Sequence, residues 1–353
     1  MRPSLGVIEV MKGNDGGVSL PPFACIGGLW ASDLVEVSSD VSVLETTGRW
    51  IAVLPYEGPR QFLLFNDWSD SRPDVVNDAW QGPARSAWTS SLDENGYFAA
   101  VEATRQAIAR GDVYQANICR VISAPSDSNQ SLLGLFDLLV AGNPAPYAAI
   151  VHAPAHGIEI VSASPELFLR RRGSKIASGP IKGTGRTEND LLAKDTAENI
   201  MIVDLVRNDL SRVCAAGSVE VPRLLEIEEH PGLVHLVSEV SGVLEPEVRW
   251  ADVLDATFPP GSVTGAPKSS ALRLISELEP ASRGFYCGAL GWVDDRGRQA
   301  ELAVTIRTFW RANDLLNFGT GAGITWDSDP EAEWHETELK ARRLIALASK
   351  GES

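Results

Sequence analysis

The chain has 353 residues, 44% of them hydrophobic, and 47 Asp and Glu against 31 Lys and Arg, a formal net charge of −16. That is enough apolar residue for a large core, in one big domain or two ordinary ones. So acidic a protein gains nothing from counterion release on nucleic acid and is repelled by anionic membrane surfaces, which excludes both as partners; an anionic ligand needs a local cationic pocket or a metal ion.

In chain order, short runs rich in β-branched and aromatic residues predict strands at 5–10, 23–30, 50–54 and 61–65, separated by Gly, Pro and Asp. Residues 66–91 read as a loop or linker, in which Trp68, Trp80 and Trp88 serve as docking anchors or, more ordinarily, cover a neighbouring core. A helix follows, capped by Asp93 or Asn95, with apolar Phe98, Val101, Ala107 and Ile108 on one side and Gly111 as its stop. Then come a strand at 113–123, a helix at 132–140 and a strand at 147–151. Two further runs, 158–161 and 166–171, read as a pair of strands joined by the loop Ser162-Ala163-Ser164-Pro165.

The stretch Ser178-Gly179-Pro180-Ile181-Lys182-Gly183-Thr184-Gly185-Arg186 is turn-rich and reads as a loop, outside any helix or strand interior. Its Lys182 is a cation for an anionic ligand, an amine nucleophile if desolvated, or a solubilising surface lysine. A long helix is expected over 188–214, then β-structure at 219–225 and 233–244 and a short helix at 250–258. The loop from Pro259 to Lys268 leads to a helix at 269–278 and strands at 285–293, 301–310 and 315–319. Gly321-Ala322-Gly323 reads as a turn, and a final helix at 331–348 has Pro330 in its first turn and Asp329 as its cap. Strands with helices inserted among them, and no internal repeat, predict an α+β fold.

Two of these helices carry acid at helical spacing. Asp195 and Glu198 share one face, and Glu333, Glu336 and Lys340 fall within an arc of roughly 60°. Such stripes are usually solvated, but oxygen ligands from two helices also suit Mg²⁺ held with waters and a ligand carboxylate. No His-rich or Cys-rich cluster points to zinc or iron. Cys25, Cys119, Cys214 and Cys287 lie far apart and predict buried free thiols. Glu166, between two apolar stretches, is a general acid of raised pKa or a paired edge-strand glutamate. Arg307, inside the expected strand, needs a partner or an anionic ligand, and His235 reads as a hydrogen-bonded core histidine. The glycine runs 183–185 and 319–323 could cradle an anion, yet neither fits a Walker A or dinucleotide fingerprint. The N-terminus lacks a basic segment followed by an apolar run, and no apolar stretch of about 18 residues occurs, as in a soluble cytoplasmic protein.

Taken together and in order, the motifs resemble those of the chorismate-utilising enzymes over residues 93–348. They are Gly111-Asp112-Val113-Tyr114-Gln115, Ser164-Pro165-Glu166, Pro180-Ile181-Lys182-Gly183-Thr184, Glu198-Asn199-Ile200-Met201-Ile202-Val203-Asp204-Leu205, Arg207-Asn208-Asp209-Leu210, Val263-Thr264-Gly265-Ala266-Pro267-Lys268, Ile306-Arg307-Thr308, Gly321-Ala322-Gly323-Ile324 and Asp327-Ser328-Asp329-Pro330-Glu331. The resemblance implies antiparallel β-sheets packed as a sandwich with flanking helices and the active site between. It implies a catalytic domain at 93–353 on which a shortened β-rich region, 1–92, packs; in relatives that region helps form a tryptophan pocket.

Isochorismate and salicylate synthases carry a water-activating lysine where this chain has Gln115. Anthranilate synthases typically have alanine, and aminodeoxychorismate synthases lysine, at the position of Lys182. The resemblance is therefore to the aminodeoxychorismate synthase branch of the family, with anthranilate synthase component I as the nearest rival and a non-catalytic chorismate-binding subunit as a rival of another class. It implies Lys182 as nucleophile and Glu166 as acid, and Mg²⁺ on Glu198 and Glu336 with Asp195 and Glu333 nearby. Arg307, Tyr286, Lys340 and the amides around Gly321, Ala322 and Gly323 would take the enolpyruvyl side. Thr264 and His235 would line the ring, and Gly265, Gln115 and Thr184 would also bind the substrate. Ammonia would come from a separate glutaminase subunit, since no cysteine here sits in a Gly-x-Cys-x-Gly setting.

Overall fold

The computed structural model describes residues 20–74, 79–128, 130–185, 187, 193–230 and 233–350. The expected strand at 5–10 and the first residues of the helix expected from 188 fall outside them. The first part of the chain forms β1 (Phe23–Ile26), β2 (Leu29–Ser38), β3 (Trp50–Leu54), β4 (Gln61–Ser69), β5 (Thr89–Ser90) and α1 (Glu94–Ala109). Next come β6 (Gln115–Pro125), α2 (Leu133–Gly142), β7 (Tyr147–Ala153), β8 (Ile158–Ser164), β9 (Leu167–Arg172), β10 (Lys175–Gly179), β11 (Ile181–Gly185) and α3 (Ala193–Ser211). The last part supplies β12 (Glu220–His230), β13 (Leu233–Val243), α4 (Trp250–Thr257), β14 (Gly265–Ala266) and α5 (Lys268–Leu278). It ends with β15 (Ala289–Asp294), β16 (Gln299–Val304), β17 (Thr308–Ala312), β18 (Leu315–Ile324) and α6 (Pro330–Ala348).

All strand pairings are antiparallel. Hydrogen bonding runs from β13 through β10, β9, β16, β15, β3, β4, β2, β1, β7, β8, β17 and β18 to β6. This long sheet folds back on itself. Val53, Leu63, Leu169 and Leu302 from one half share a buried core with Val121, Val151, Ile158 and Ile160 from the other. α3 and α4 add Ile202, Val203, Val253 and Leu254 to the same core. Outside, α2 and α6 bury Phe136, Leu139 and Leu344 with Phe309 and Phe318, and α1 and α5 bury Tyr97, Val101 and Ile275 with Ile118 and Ile324. The architecture is the antiparallel α+β sandwich with flanking helices. Strands β1 to β4, from the N-terminal region, lie in the middle of the hydrogen-bonded path, β3 pairing with β15 and β1 with β7.

Local signals hold where the chain's own chemistry sets them. Asp93 caps α1 by accepting from Gly96 N–H, and Asp329 caps α6 by accepting from Ala332 N–H with Pro330 at the first turn. All four cysteines are free and buried. Trp80 Nε1 donates to Ala348 O at 2.8 Å and Trp88 Nε1 to Ser349 Oγ at 3.0 Å, so both tie the linker over the end of α6. Among the described residues no helix is long and apolar enough to cross a membrane.

Several expectations need correction. The run 23–30 is two strands, because Gly27 and Gly28 turn the chain with φ of +62° and +80°. β8 and β9 are not a pair: β8 binds β7 and β17, and β9 binds β10 and β16. Ser164-Pro165-Glu166 is instead where the chain leaves one half of the sheet for the other. The segment around Lys182 is strand rather than loop. β10 and β11 both run along β13, with Pro180 at their junction, where its missing N–H costs nothing and its carbonyl accepts from Ser238 N–H at 3.1 Å. Gly183, φ +77°, takes the bulge at which the register shifts. Residues 285–288 form a turn before β15. The expected strand at 301–310 breaks into β16 and β17, and Arg307, φ +52°, stands at the break. Gly321, Ala322 and Gly323 do not turn; they continue β18 opposite Cys119, Ile118 and Asn117.

Candidate active site

Glu166 is carried on the crossover from β8 to β9 and is 4% exposed. Its backbone is pinned, N–H to Ser164 Oγ at 3.2 Å and C=O from Val304 N–H at 3.0 Å. Burial pushes its carboxyl up to about 7, against the opposite pull of the Ser262 hydroxyl, the Lys182 ammonium, the Ile181 N–H and Arg307. Lys182, on β11, donates from Nζ to Ser262 O at 3.2 Å and lies 4.0 Å from Glu198 Oε2. Ser262 thus stands beside both groups, its carbonyl accepting from Lys182 and the residue lining one cavity with Glu166. A small cavity of about 10 Å³ lined by Glu166, Ser178, Pro180, Asp209 and Ser262 borders them. Arg307 reaches the same place: burial draws its guanidinium down and the Glu166 charge draws it up.

The acidic faces of α3 and α6 meet beside this pair. Glu198 is 9% exposed and Glu333 2%. Lys194 Nζ lies between them, 3.7 Å from Glu198 Oε1 and hydrogen-bonded to Glu333 Oε1. Ser328 Oγ donates to that same Glu333 oxygen at 2.6 Å, while buried Glu333 Oε2 makes no hydrogen bond. Glu336 pairs with Lys340 at 2.6 Å, and Lys340 Nζ also donates to Gly321 O at 3.0 Å. Burial raises the Glu198 pKa; Lys182 and Lys194 oppose this, and Glu336 and Glu333 add to it, so the three glutamates feel one another. Asp195 stands in the first turn of α3. Among the described residues no group of three such side chains forms a ready-made metal shell. The donor set nonetheless suits Mg²⁺: all ligands are oxygens, they repel one another, and one buried oxygen has no donor.

β18 forms a wall of this region. It pairs with β17 only as far as Phe318, so from Gly319 onward its partner strand is β6. A Cβ on Gly323 would lie 2.3 Å from Gln115 Nε2 and 3.4 Å from Glu198 Oε2, so glycine leaves room for the amide and the Glu198 carboxylate against the strand. A Cβ on Gly319 would lie 2.0 Å from the ring of Tyr286, which packs flat on the strand. Gln115 is buried and its Oε1 makes no hydrogen bond. Gly265, φ +146°, pairs with Ala116 on β6. His235 is buried on β13, its neighbour Leu236 opposite Lys182. Thr264 is buried with its hydroxyl engaged by Pro260 O and Gly261 O at 3.1 and 3.3 Å, so it holds its own loop. The side chain of Thr184 lies outside the described residues. The structure therefore gathers Glu166, Lys182, Glu198 and Arg307 on one side and Glu333, Glu336 and Lys340 on the other, with Gln115 and Glu198 both close to the face of β18 at Gly323.

The sequence model of the chorismate binding enzyme family matches residues 64–346. The chain belongs to that family. Two relatives are an anthranilate synthase component 1 of Haloarcula marismortui, 39% identical over 74% of this chain and 55% of the relative, and the aminodeoxychorismate synthase component 1 of Salmonella typhimurium, 37% identical over 74% and 59%. The chain thus spans little more than half the length of these relatives. The crystal structure of anthranilate synthase component I from Streptococcus pneumoniae superposes with a TM-score of 0.76 at 24% identity, over 95% of both chains, a likeness of fold.

In this chorismate binding enzyme, Ser262 and the buried ions that hold its loop escaped the sequence reading. Lys268 Nζ donates to Asp209 Oδ2 at 2.6 Å and to Thr257 O at 2.9 Å, tying both ends of the loop to α3. Arg283, 1% exposed and paired with Glu279, donates to Val263 O at 2.9 Å and Asn117 O at 2.7 Å. Asp209 and Lys268 stand inside motifs, but nothing local pairs residues so distant in sequence. Burial raises the Asp209 pKa and lowers that of Lys268, each partner offsetting part of the other's loss. Asp209→Ala leaves a buried ammonium without its anion and is expected to destabilise the protein by about 3–5 kcal/mol, read from denaturant unfolding. The double variant with Lys268→Met should recover most of that; no recovery would mean that the pair's charge is not what matters.

Proposed function

We propose that this enzyme aminates chorismate at C4, giving 4-amino-4-deoxychorismate on the way to p-aminobenzoate and folate. The reading is carried by one observation: the amine of Lys182 and a carboxyl held protonated near neutrality, Glu166, meet at Ser262. The Lys182 amine adds at C2 of the ring. The two ring double bonds shift, and the C4 hydroxyl leaves as water with the proton of Glu166. Ammonia then adds at C4, the double bonds return, the lysine amine leaves C2, and the Glu166 carboxylate takes its proton back from the ammonium group formed at C4. Each step conserves charge and needs no external acid.

Glu198 and Glu336, with Asp195 and Glu333 near, would hold Mg²⁺, which when bound neutralises the ring carboxylate of an anionic substrate on an acidic protein. Arg307, Tyr286, Lys340 and the β18 backbone around Gly321 to Gly323 would receive the enolpyruvyl side. A glutaminase subunit would deliver ammonia, so glutamine should support turnover only with that partner, whereas high ammonium suffices alone. The chain would work in the cytoplasm.

The second reading is anthranilate synthase component I, favoured by relatives of that name at identity equal to the aminodeoxychorismate synthase. Chorismate, ammonium and Mg²⁺ are incubated with the chain and the product is identified by mass. Aminodeoxychorismate is expected. Anthranilate with pyruvate would replace the first reading by the second, and recovery of unchanged chorismate would make the chain a binder.

A further inference from the structure

We infer that Lys194 is a resident cation of the carboxylate cluster: it holds Glu198 and Glu333 together and must leave when a divalent cation binds there. The inference rests on the reading of Glu198 and Glu336 as ligands of such a cation. Lys194 comes from the first turn of α3 and crosses to α6, lying 3.7 Å from Glu198 and bonded to Glu333. Glu333 cannot turn to solvent. It is 2% exposed, one oxygen already takes Lys194 and Ser328, and the other is buried without a donor. Taking the ammonium away would leave Glu198 and Glu333 repelling each other, with Lys182 at 4.0 Å as the nearest remaining positive charge on Glu198.

Lys194 itself is free to move. Its side chain is 34% exposed, and a four-carbon stem lets the ammonium swing into water by rotamer changes alone. A divalent cation held by Glu198 and Glu336, with Glu333 beside it, would supply the positive charge that Lys194 now gives Glu198 and Glu333, and release the lysine. The exchange keeps the buried charge balanced in both states. Its consequence is a tax on metal affinity, because the cation binds only the fraction of molecules from which the ammonium has withdrawn. The device would keep the cation-free protein folded and make metal binding weaker than the carboxylates alone would allow.

The test uses Mn²⁺ alone, without substrate, titrated by calorimetry into the full chain and into Lys194→Met and Lys194→Arg, with thermal melts in parallel. Lys194→Met is expected to bind Mn²⁺ roughly tenfold more tightly, to melt lower than the parent without metal, and to gain more from added Mn²⁺. Lys194→Arg, which keeps the charge, should bind within about twofold of the parent. Should the methionine variant not fold, Lys194→Gln, which keeps a donor without the charge, serves for the same comparison. Equal or weaker Mn²⁺ binding by the uncharged variants overturns the inference. Glu336→Gln separates the two levels: binding lost there but unchanged in Lys194→Met sinks the inference alone, while binding that survives Glu336→Gln, or is absent throughout, removes the metal reading and the inference with it.

Discussion

Lys182→Ala is expected to lose chorismate amination by roughly 10³-fold or more in kcat/KM while still folding. The amine's contacts explain both halves of this result. Among the described residues it bonds Ser262 O and approaches Glu198, which keeps Lys194 as a second cation, so the fold survives its removal. The chemistry does not, because among the described residues Lys182 is the one lysine whose charge acts on Glu166. Quenching the parent enzyme in mid-turnover should yield, by mass spectrometry, an adduct on the peptide bearing Lys182 that is missing from the variant. Full turnover of Lys182→Ala with ammonium would refute the nucleophile and move the reading toward direct attack of ammonia on the ring.

Glu166→Gln carries the second large effect, a loss of about 10² to 10⁴-fold, since glutamine keeps the shape and cannot deliver a proton. The parent's kcat/KM should fall as pH rises through about 7, where burial has brought the carboxyl, and the variant should lack that limb. Stability should move in the same direction. A carboxyl whose pKa is higher folded than unfolded binds its proton more tightly in the native state between about 4.5 and 7, so stability is lost as pH rises across that window and stays lost above it. Ionising Glu166 in place then costs up to about 3 kcal/mol at pH 8. Glu166→Gln escapes this, so thermal melts should find it more stable than the parent at pH 8 and level with it near pH 4. A variant less stable than the parent at pH 8 would show that Glu166 is held ionised.

These two residues also mark where sequence reasoning reached and where it stopped. Lys182 was legible as a singular lysine among glycines, and its motif placed it in a family. Its backbone was misread, because Pro180 and Gly183 are breakers in isolation. β13 pairs on both sides of Pro180, and the bulge gives Gly183 the one conformation it alone takes cheaply. The same holds for Gly321 and Gly323, whose glycines signal turning but whose role is to let Cys119 and Gln115 press against a straight strand, as Gly319 does for Tyr286. Arg307 looked like a charge inside a strand and stands at a break, where its charge acts on Glu166.

By itself the sequence determined the features that depend on neighbours a few residues away. These are the α+β alternation, the caps at Asp93 and Asp329, the acidic faces of two helices, and the motifs that name the family. Helical period and capping act over a turn or two, so they survive in one dimension. Only the tertiary structure decided that Ser262 stands beside the acid and the amine, that Asp209 meets Lys268, and that Lys194 lies between Glu198 and Glu333. Each of the latter two joins residues from different helices whose approach is set by how a long sheet folds over one core. Burial, which raises Glu166 to about 7 and makes the buried ion pairs matter, is a property of that packing and of no local stretch of chain.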